Sequence, residues 1–345
     1  MRRRRLLVRS LVSVLALVLA TVAAEVAVRA TDLFGISYYK DVNRYFNGAI
    51  RLVPGAMNAQ GRIFENKPSV DLGLVRFHFK TDAGGFRASD PHAPFEPRRD
   101  PGRGRILFLG DSVTLAWGVE DEDAWIRLVE RDARDRAGRP VQCLNAGHLS
   151  YDSVQEADWL AAHGPDLRPD AVVLTYVVND FESTWEQYKD FLGGGEGIVR
   201  PKVTWRDEMH ATVVTRFRGL YGLWHLFEER RNLDHRPPGE LDVESEPVFV
   251  EGWPRSEKAL DRILAICGEL GAPLVLLDHT TPRIPAVRRW CEAHGVAVFD
   301  FTFTAEEEAR GVRNSLADAH ANELGQTLLA AKARAALRAV GVLAP

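Results

Sequence analysis

Apolar residues run along this chain in two rhythms. Short apolar runs read as strands: Ile106–Leu109, "VQCLNAG" from Val141, "AVVLTYVV" from Ala171, a buried strand by its β-branched content, "APLVLLDHT" from Ala272 and "VAVFDFT" from Val296. Between them lie stretches with helical spacing. These are Ala124–Ala137, stopped by Gly138; Ser153–His163, with Ser153 as its cap; about Ser256–Leu270; Ala286–His294; and about Glu323–Val340. Short apolar strands that alternate with helices predict a parallel sheet, here of five strands, covered on both faces.

The flanks follow neither rhythm. Leu11–Ala24 is apolar apart from Ser13 and Thr21, and it follows a cluster of positive charge at Arg2–Arg5 and Arg9. That order is an export signal, and the positive-inside rule sends everything beyond Ala24 across the membrane. With Leu6–Val8 and Val26–Val28 the run reaches about 20 residues, enough for a single anchoring span. The alternative is a signal peptide cleaved near Ala24, leaving a secreted protein. Residues 31–102 carry Gly, Pro and aromatics without long periodicity. They read as a stalk and lead-in with short strands. "RFHFKTDAGGFR" forms one strand entering a turn at Gly84–Gly85, and Pro91, Pro94, Pro97 and Pro101 mark a linker. The organisation expected is thus a signal anchor or signal peptide at 1–30, a lead-in at 31–102 and a main domain at 103–345. An aromatic, partly helical insertion at about 181–254 interrupts that domain, as either a packed helix or a wall over the cleft.

Composition narrows the function. Of 345 residues, 46% are hydrophobic, ample for a large core, and the formal net charge of −4 with no basic stripe past the N-terminus gives nucleic acid no footing. Cys143, Cys267 and Cys291 imply no disulfide framework. They read as buried small hydrophobes, with one Cys267–Cys291 bridge as the alternative.

In open α/β sheets the ligand lies beyond the carboxyl ends of the strands. There the chain places Gly110-Asp111-Ser112, Asn145-Ala146-Gly147-His148, Asn179-Asp180, Asp278-His279-Thr280, and Asp300-Phe301 with "DAH" at Asp318–His320 shortly after. A serine hydroxyl needs a base to become a nucleophile, histidine is the usual one, and a tetrahedral intermediate needs donors facing its oxyanion. Ser112 at a helix start, Gly147 with no Cβ to obstruct its N–H, and the Asn179 amide can supply those donors.

This set resembles the SGNH, or GDSL-type, hydrolase superfamily, through Ser112 in "GDS", Gly147 in "NAG", Asn179 in "VVND" and His320 in "DAHANELG". The resemblance covers roughly residues 80–340. The lead-in "TDAGGFR" and the "WGVEDEDAW" after the serine look like an exported, membrane-anchored branch. It implies a flavodoxin-like three-layer α/β/α sandwich. It also implies Ser112 as nucleophile, His320 as base, and an oxyanion hole of the Ser112 and Gly147 N–H groups with the Asn179 amide. Two positions depart from the pattern: Val177 stands where a glycine is usual, and the acid usually three residues before the histidine is Ala317. Asp318, two before, takes the role of triad acid, or a backbone carbonyl replaces it. His148 and His279 are candidate substrate contacts, Asp111 a loop-holding residue, and His163, His225 and His235 exposed side chains.

No Gly-x-Ser-x-Gly elbow, Walker loop or His-Glu-x-x-His occurs, and "GGGEG" at Gly193–Gly197 lacks dinucleotide spacing. No metal or cofactor is expected. The activity expected is removal of a small O-acyl group, acetyl first, from an envelope carbohydrate or similar ester. Transfer of that group to a sugar hydroxyl, or a non-catalytic glycan-binding module on the same fold, are the alternatives.

Overall fold

The computed structural model describes residues 2–53, 61, 63–97, 100–182, 219, 222 and 243–345. Most of the expected insertion, including Trp185, Tyr188, Phe191, Trp205, Val214, Phe217, Leu220, Tyr221, Leu223, Trp224 and Phe227, lies outside the described residues, as do Gly193–Gly197, His225 and His235.

The chain divides into two units. The first takes in residues 2–40 and 315–319, with Gly219 and Gly222. Its main element is α1 (Arg2–Thr31), in which Val8–Thr31, 24 residues, is apolar and long enough to cross a membrane, with none of that window buried. After α1 the chain turns at Gly35. Phe34 packs with Ile36 and Ala317, and its carbonyl accepts the Ala317 N–H at 3.0 Å.

The second unit begins at Asp41 and holds the sheet. Helix α2 (Ser37–Gly48) runs into it. Two small antiparallel pairs follow, β1 (Ile50–Leu52) with β2 (Phe64–Asn66) and β3 (Asp71–Gly73) with β4 (His78–Lys80). Residues read as stalk and lead-in therefore belong, from Asp41 on, to the same unit as the sheet. Their aromatics Tyr45, Phe64, Phe79 and Phe86 are buried.

The main sheet has five parallel strands: β5 (Gly104–Gly110), β6 (Val141–Gly147), β7 (Ala171–Tyr176), β8 (Leu274–Asp278) and β9 (Ala297–Asp300). Their order is β6-β5-β7-β8-β9, the 2-1-3-4-5 order of flavodoxin-like sheets. Side chains alternate along each strand, so one parity serves each face. Ile106, Phe108, Val173, Val275 and Leu277 share a core with Trp125, Ile126 and Val129 of α4 (Trp125–Glu130) and Leu329, Ala333 and Leu337 of α9 (Glu323–Ala339). Leu107, Leu109, Val172, Leu174 and Leu276 are equally buried on the other parity. There α5 (Ser153–Leu167) packs against α6 (Pro247–Leu270). Three-layer α/β/α is the observed architecture. Helix α7 (Pro285–His294) precedes β9, and a single turn, α8 (Ala305–Glu308), follows it.

Four local expectations change. The helix expected over 124–137 stops at Glu130, because Asp135 Oδ1 accepts the N–H groups of Ala137 and Arg139 at 2.9 Å each and draws the chain into a turn. Helix α5 is capped by Asp152, whose carboxylate accepts from Val154 and Gln155 N–H at 3.0 Å, and not by Ser153. Helix α6 starts at Pro247, nine residues before the expected Ser256, with proline where its missing N–H costs nothing. His163 is half-buried, with Nε2 2.6 Å from Glu65 Oε1. All three cysteines are buried and free, so no Cys267–Cys291 bridge forms.

Candidate active site

Strand β5 ends at Gly110 because nothing larger fits there. Its φ is +150°, and a Cβ would meet Thr114 Oγ1 at 2.1 Å. The chain reverses at once into α3 (Ser112–Leu115), a single turn capped by Asp111, whose Oδ1 accepts the Val113 N–H at 2.8 Å. Ser112 is its first residue and only 8% exposed. Asp111 thus holds the loop as expected, and Ser112 Oγ also lies 3.1 Å from Asp111 Oδ2. Burial pushes the Asp111 carboxyl upward, while the Val113 N–H and nearby His320 hold it down.

His320 arrives from the far end of the chain. A loop closed by an antiparallel bridge between Arg313 and Ala321, with the Asn314 N–H donating to His320 O at 2.8 Å, sets it just before α9. Its Nε2 is 2.8 Å from Ser112 Oγ. One hydroxyl proton therefore has two acceptors within reach, the imidazole and the Asp111 carboxylate. Asp318 is buried, its main-chain N–H donating to Ser315 Oγ at 3.1 Å and its carbonyl accepting the Ser315 N–H at 3.0 Å.

Strand β6 brings Gly147 level with Gly110. A Cβ on Gly147 would lie 2.3 Å from Leu115 N and 2.7 Å from Thr114 C, so glycine is required for α3 to lie on β6 at all. The Gly147 N–H donates to Asn145 Oδ1 at 3.0 Å, which leaves the Asn145 amide nitrogen buried without a partner among the described residues. Any oxyanion must share that N–H with Asn145.

Asn179 sits on the one-turn helix Val178–Phe181 after β7, half-buried, with Nδ2 3.3 Å from Tyr151 O. The turn is pinned from several sides. The Val177 N–H donates to Asp180 Oδ2 at 2.6 Å, and Ser153 Oγ donates to Asp180 O at 3.0 Å. Ser153 also meets Ser256 Oγ at 2.8 Å, which meets the Tyr176 hydroxyl at 2.8 Å. Arg255 bonds Asp152 and the Phe181 and Glu182 carbonyls. Beneath the turn Asp180 and Glu156 are fully buried beside each other. Burial and the mutual proximity of their carboxyls, with Asp111 and Asp152 near, push Glu156 well up, and burial also pushes Asp180 well up. The pair bonds only when it holds a proton between its two carboxyls.

Of the two other histidines, His148 is buried, its ring stacked on Tyr151 at 4.3 Å and Nδ1 2.8 Å from Ala146 O. His279 follows β8 with Nδ1 2.7 Å from Phe301 O, and burial pulls its pKa down to about 4, which keeps it neutral. The sequence assigned no role to Arg87, Asn145 or Glu156. The first stands in the quoted "TDAGGFR" and the second in "NAG", but neither has a role until its partners are known. Among the described residues no group of three or more His, Cys, Asp or Glu side chains is placed to hold a metal ion.

No family model matches the chain, and no curated protein does. Among solved structures it is similar to the psychrotrophic esterase EstA from Pseudoalteromonas sp., 13% identical over 69% of this chain and 98% of that one, with a TM-score of 0.42. It is also similar to a structure described as a putative lipolytic protein of the G-D-S-L family from Desulfitobacterium hafniense, 10% identical over 68% and 99%, with a TM-score of 0.40. A third is a catalytic mutant of the acetylxylan esterase Axe2 from Geobacillus stearothermophilus, 16% identical over 69% and 94%, with a TM-score of 0.35.

Proposed function

We propose that this chain is a serine ester hydrolase that works outside the cytoplasm and removes a small O-acyl group, acetyl first, from an envelope carbohydrate or similar ester. The observation that carries the reading is the 2.8 Å contact between Ser112 Oγ and His320 Nε2, made by residues 208 positions apart in the chain.

In the reaction His320 Nε2 takes the hydroxyl proton as Ser112 Oγ attacks the acyl carbon. The imidazolium then protonates the leaving alcohol, water attacks the acyl-enzyme with His320 as base, and the serine is restored. Asp318 orients the imidazole. The Ser112 N–H at the start of α3, the Gly147 N–H and the second N–H of the Asn179 amide receive the oxyanion. A nearly buried hydroxyl favours a short acyl chain. Helix α1 is the membrane anchor, with its N-terminal arginines left in the cytoplasm.

The test is hydrolysis of an activated acetyl ester by the full chain in detergent, with labelling by a fluorophosphonate. Ser112→Ala should lower turnover by at least about 10⁴-fold and abolish labelling. Activity that survives in that variant removes the assignment.

A further inference from the structure

The helix that carries Ser112 is held at its carboxyl end partly by a distant side chain. α3 is four residues long: its Ser112 and Val113 carbonyls accept the Trp117 and Ala116 N–H groups at 3.1 and 3.2 Å, Trp125 Nε1 also donates to Val113 O at 2.9 Å, and the carbonyls from Leu115 onward are met from outside the helix. A single side chain meets Leu115 O and two carbonyls just beyond the helix. Arg87 Nη1 donates to Leu115 O at 2.5 Å and Ala116 O at 2.6 Å, and Nη2 donates to Val119 O. The guanidinium is wholly buried and lies over Phe77 at 5.4 Å and near Phe79 at 6.0 Å. Its counter-charge, Asp121, stands 3.9 Å from Nε and also binds Arg127 and Ser89. Ala116, whose carbonyl is one of the three, has φ +56°, a backbone conformation alanine adopts at a cost. A buried charge is expensive, and a lysine could not span three carbonyls as the planar fork does.

We propose that Arg87 is a positioning residue for Ser112: it holds the carboxyl end of α3 so that the hydroxyl at the amino end stays in line with His320. The helix is about 6 Å long, so a shift at Leu115 is passed to Ser112 almost undiminished. The inference rests on the reading of Ser112 as the nucleophile. It gives the "GFR" of the lead-in a role, since the strand pairs before it deliver Arg87 under the active helix.

The experiment measures the rate constant and the final extent of fluorophosphonate labelling, with kcat and KM on an activated acetyl ester, for the full chain in detergent. Arg87→Lys should slow labelling and lower kcat by roughly 10- to 100-fold, the range set by a misplacement near 1 Å, with KM within about twofold. Arg87→Ala should be slower still and regain rate in millimolar guanidinium. A fall in labelled fraction with the rate constant unchanged would mean Arg87 serves stability alone, and it overturns the proposal. Asp121→Asn, which keeps the guanidinium but removes its counter-charge, is the variant to use if Arg87 substitutions do not fold. Slower labelling at full extent supports the proposal, and wild-type rates in whichever variants fold overturn it. Failure of the wild type itself to label would instead remove the nucleophile assignment.

Discussion

Gly147→Ala separates two reasons for a glycine beside Ser112. Alanine keeps the backbone N–H, so any loss in this variant is not the loss of a donor. What it adds is a Cβ placed 2.3 Å from Leu115 N, 2.7 Å from Thr114 C and 2.8 Å from Leu115 Cα. All three are backbone atoms of α3, so no side chain can rotate out of the way, and relief needs α3 and β6 to part by about 1 Å. Overpacking of this kind costs about 1–3 kcal/mol, and an unyielding partner puts it near 3. Against that, replacing glycine stiffens the unfolded chain by at most about 1 kcal/mol. The net loss is about 2 kcal/mol, which for a urea m-value near 3 kcal/mol/M lowers the midpoint by about 0.7 M. The same movement takes Ser112 away from His320, at a cost of roughly 100-fold in rate. Urea melts and timed fluorophosphonate labelling read the two effects separately. A variant that melts with the wild type and labels at its rate would mean the close approach of α3 to β6 is not what requires glycine, and the account of this corner would be wrong.

The Glu156–Asp180 pair makes stability fall as pH rises. A carboxyl whose pKa is higher in the folded than in the unfolded chain contributes fully below about pH 4.3 and loses that contribution as pH climbs through the folded value, with a slope of up to about 1.4 kcal/mol per pH unit per proton. Glu156→Gln supplies a permanent donor to Asp180, so urea melts between pH 5 and 8 should show a flatter profile than the wild type, and parallel profiles would refute the shared proton. The full chain should pellet with membranes and resist extraction at high salt, and a chain beginning at Asp32 should be released to the soluble fraction. A full chain that is soluble without detergent would remove the anchor.

Much of the fold was legible in the sequence because the inner strands, buried on both faces, must be continuously apolar, and the edge strand β9, only half-buried, still carries a short apolar run. All five strands of the sheet stand where their apolar runs stood, and the residues after them collect at one sheet edge because parallel strands share a direction. Helix ends were read less well. Glu130 ends α4 because of the Asp135 turn, and Asp152 caps α5 because its carboxylate reaches two N–H groups, which are choices among neighbours with similar propensities. The lead-in was least legible. Its strands are three residues long and have no periodicity to detect; they exist because Tyr45, Phe64 and Phe79 find burial there.

The chain's local chemistry determined on its own where strands end, which residues stand at those ends, and that an apolar helix leads the protein. Tertiary structure alone decided that His320 reaches Ser112, that Gly147 is bare so α3 can rest on it, that its N–H donates to Asn145, and that a distant arginine bonds the carbonyl at the end of α3. Periodicity reports burial, which is set residue by residue through transfer from water. Contacts between side chains hundreds of positions apart depend on the summed geometry of every element between them, and no local pattern carries that sum.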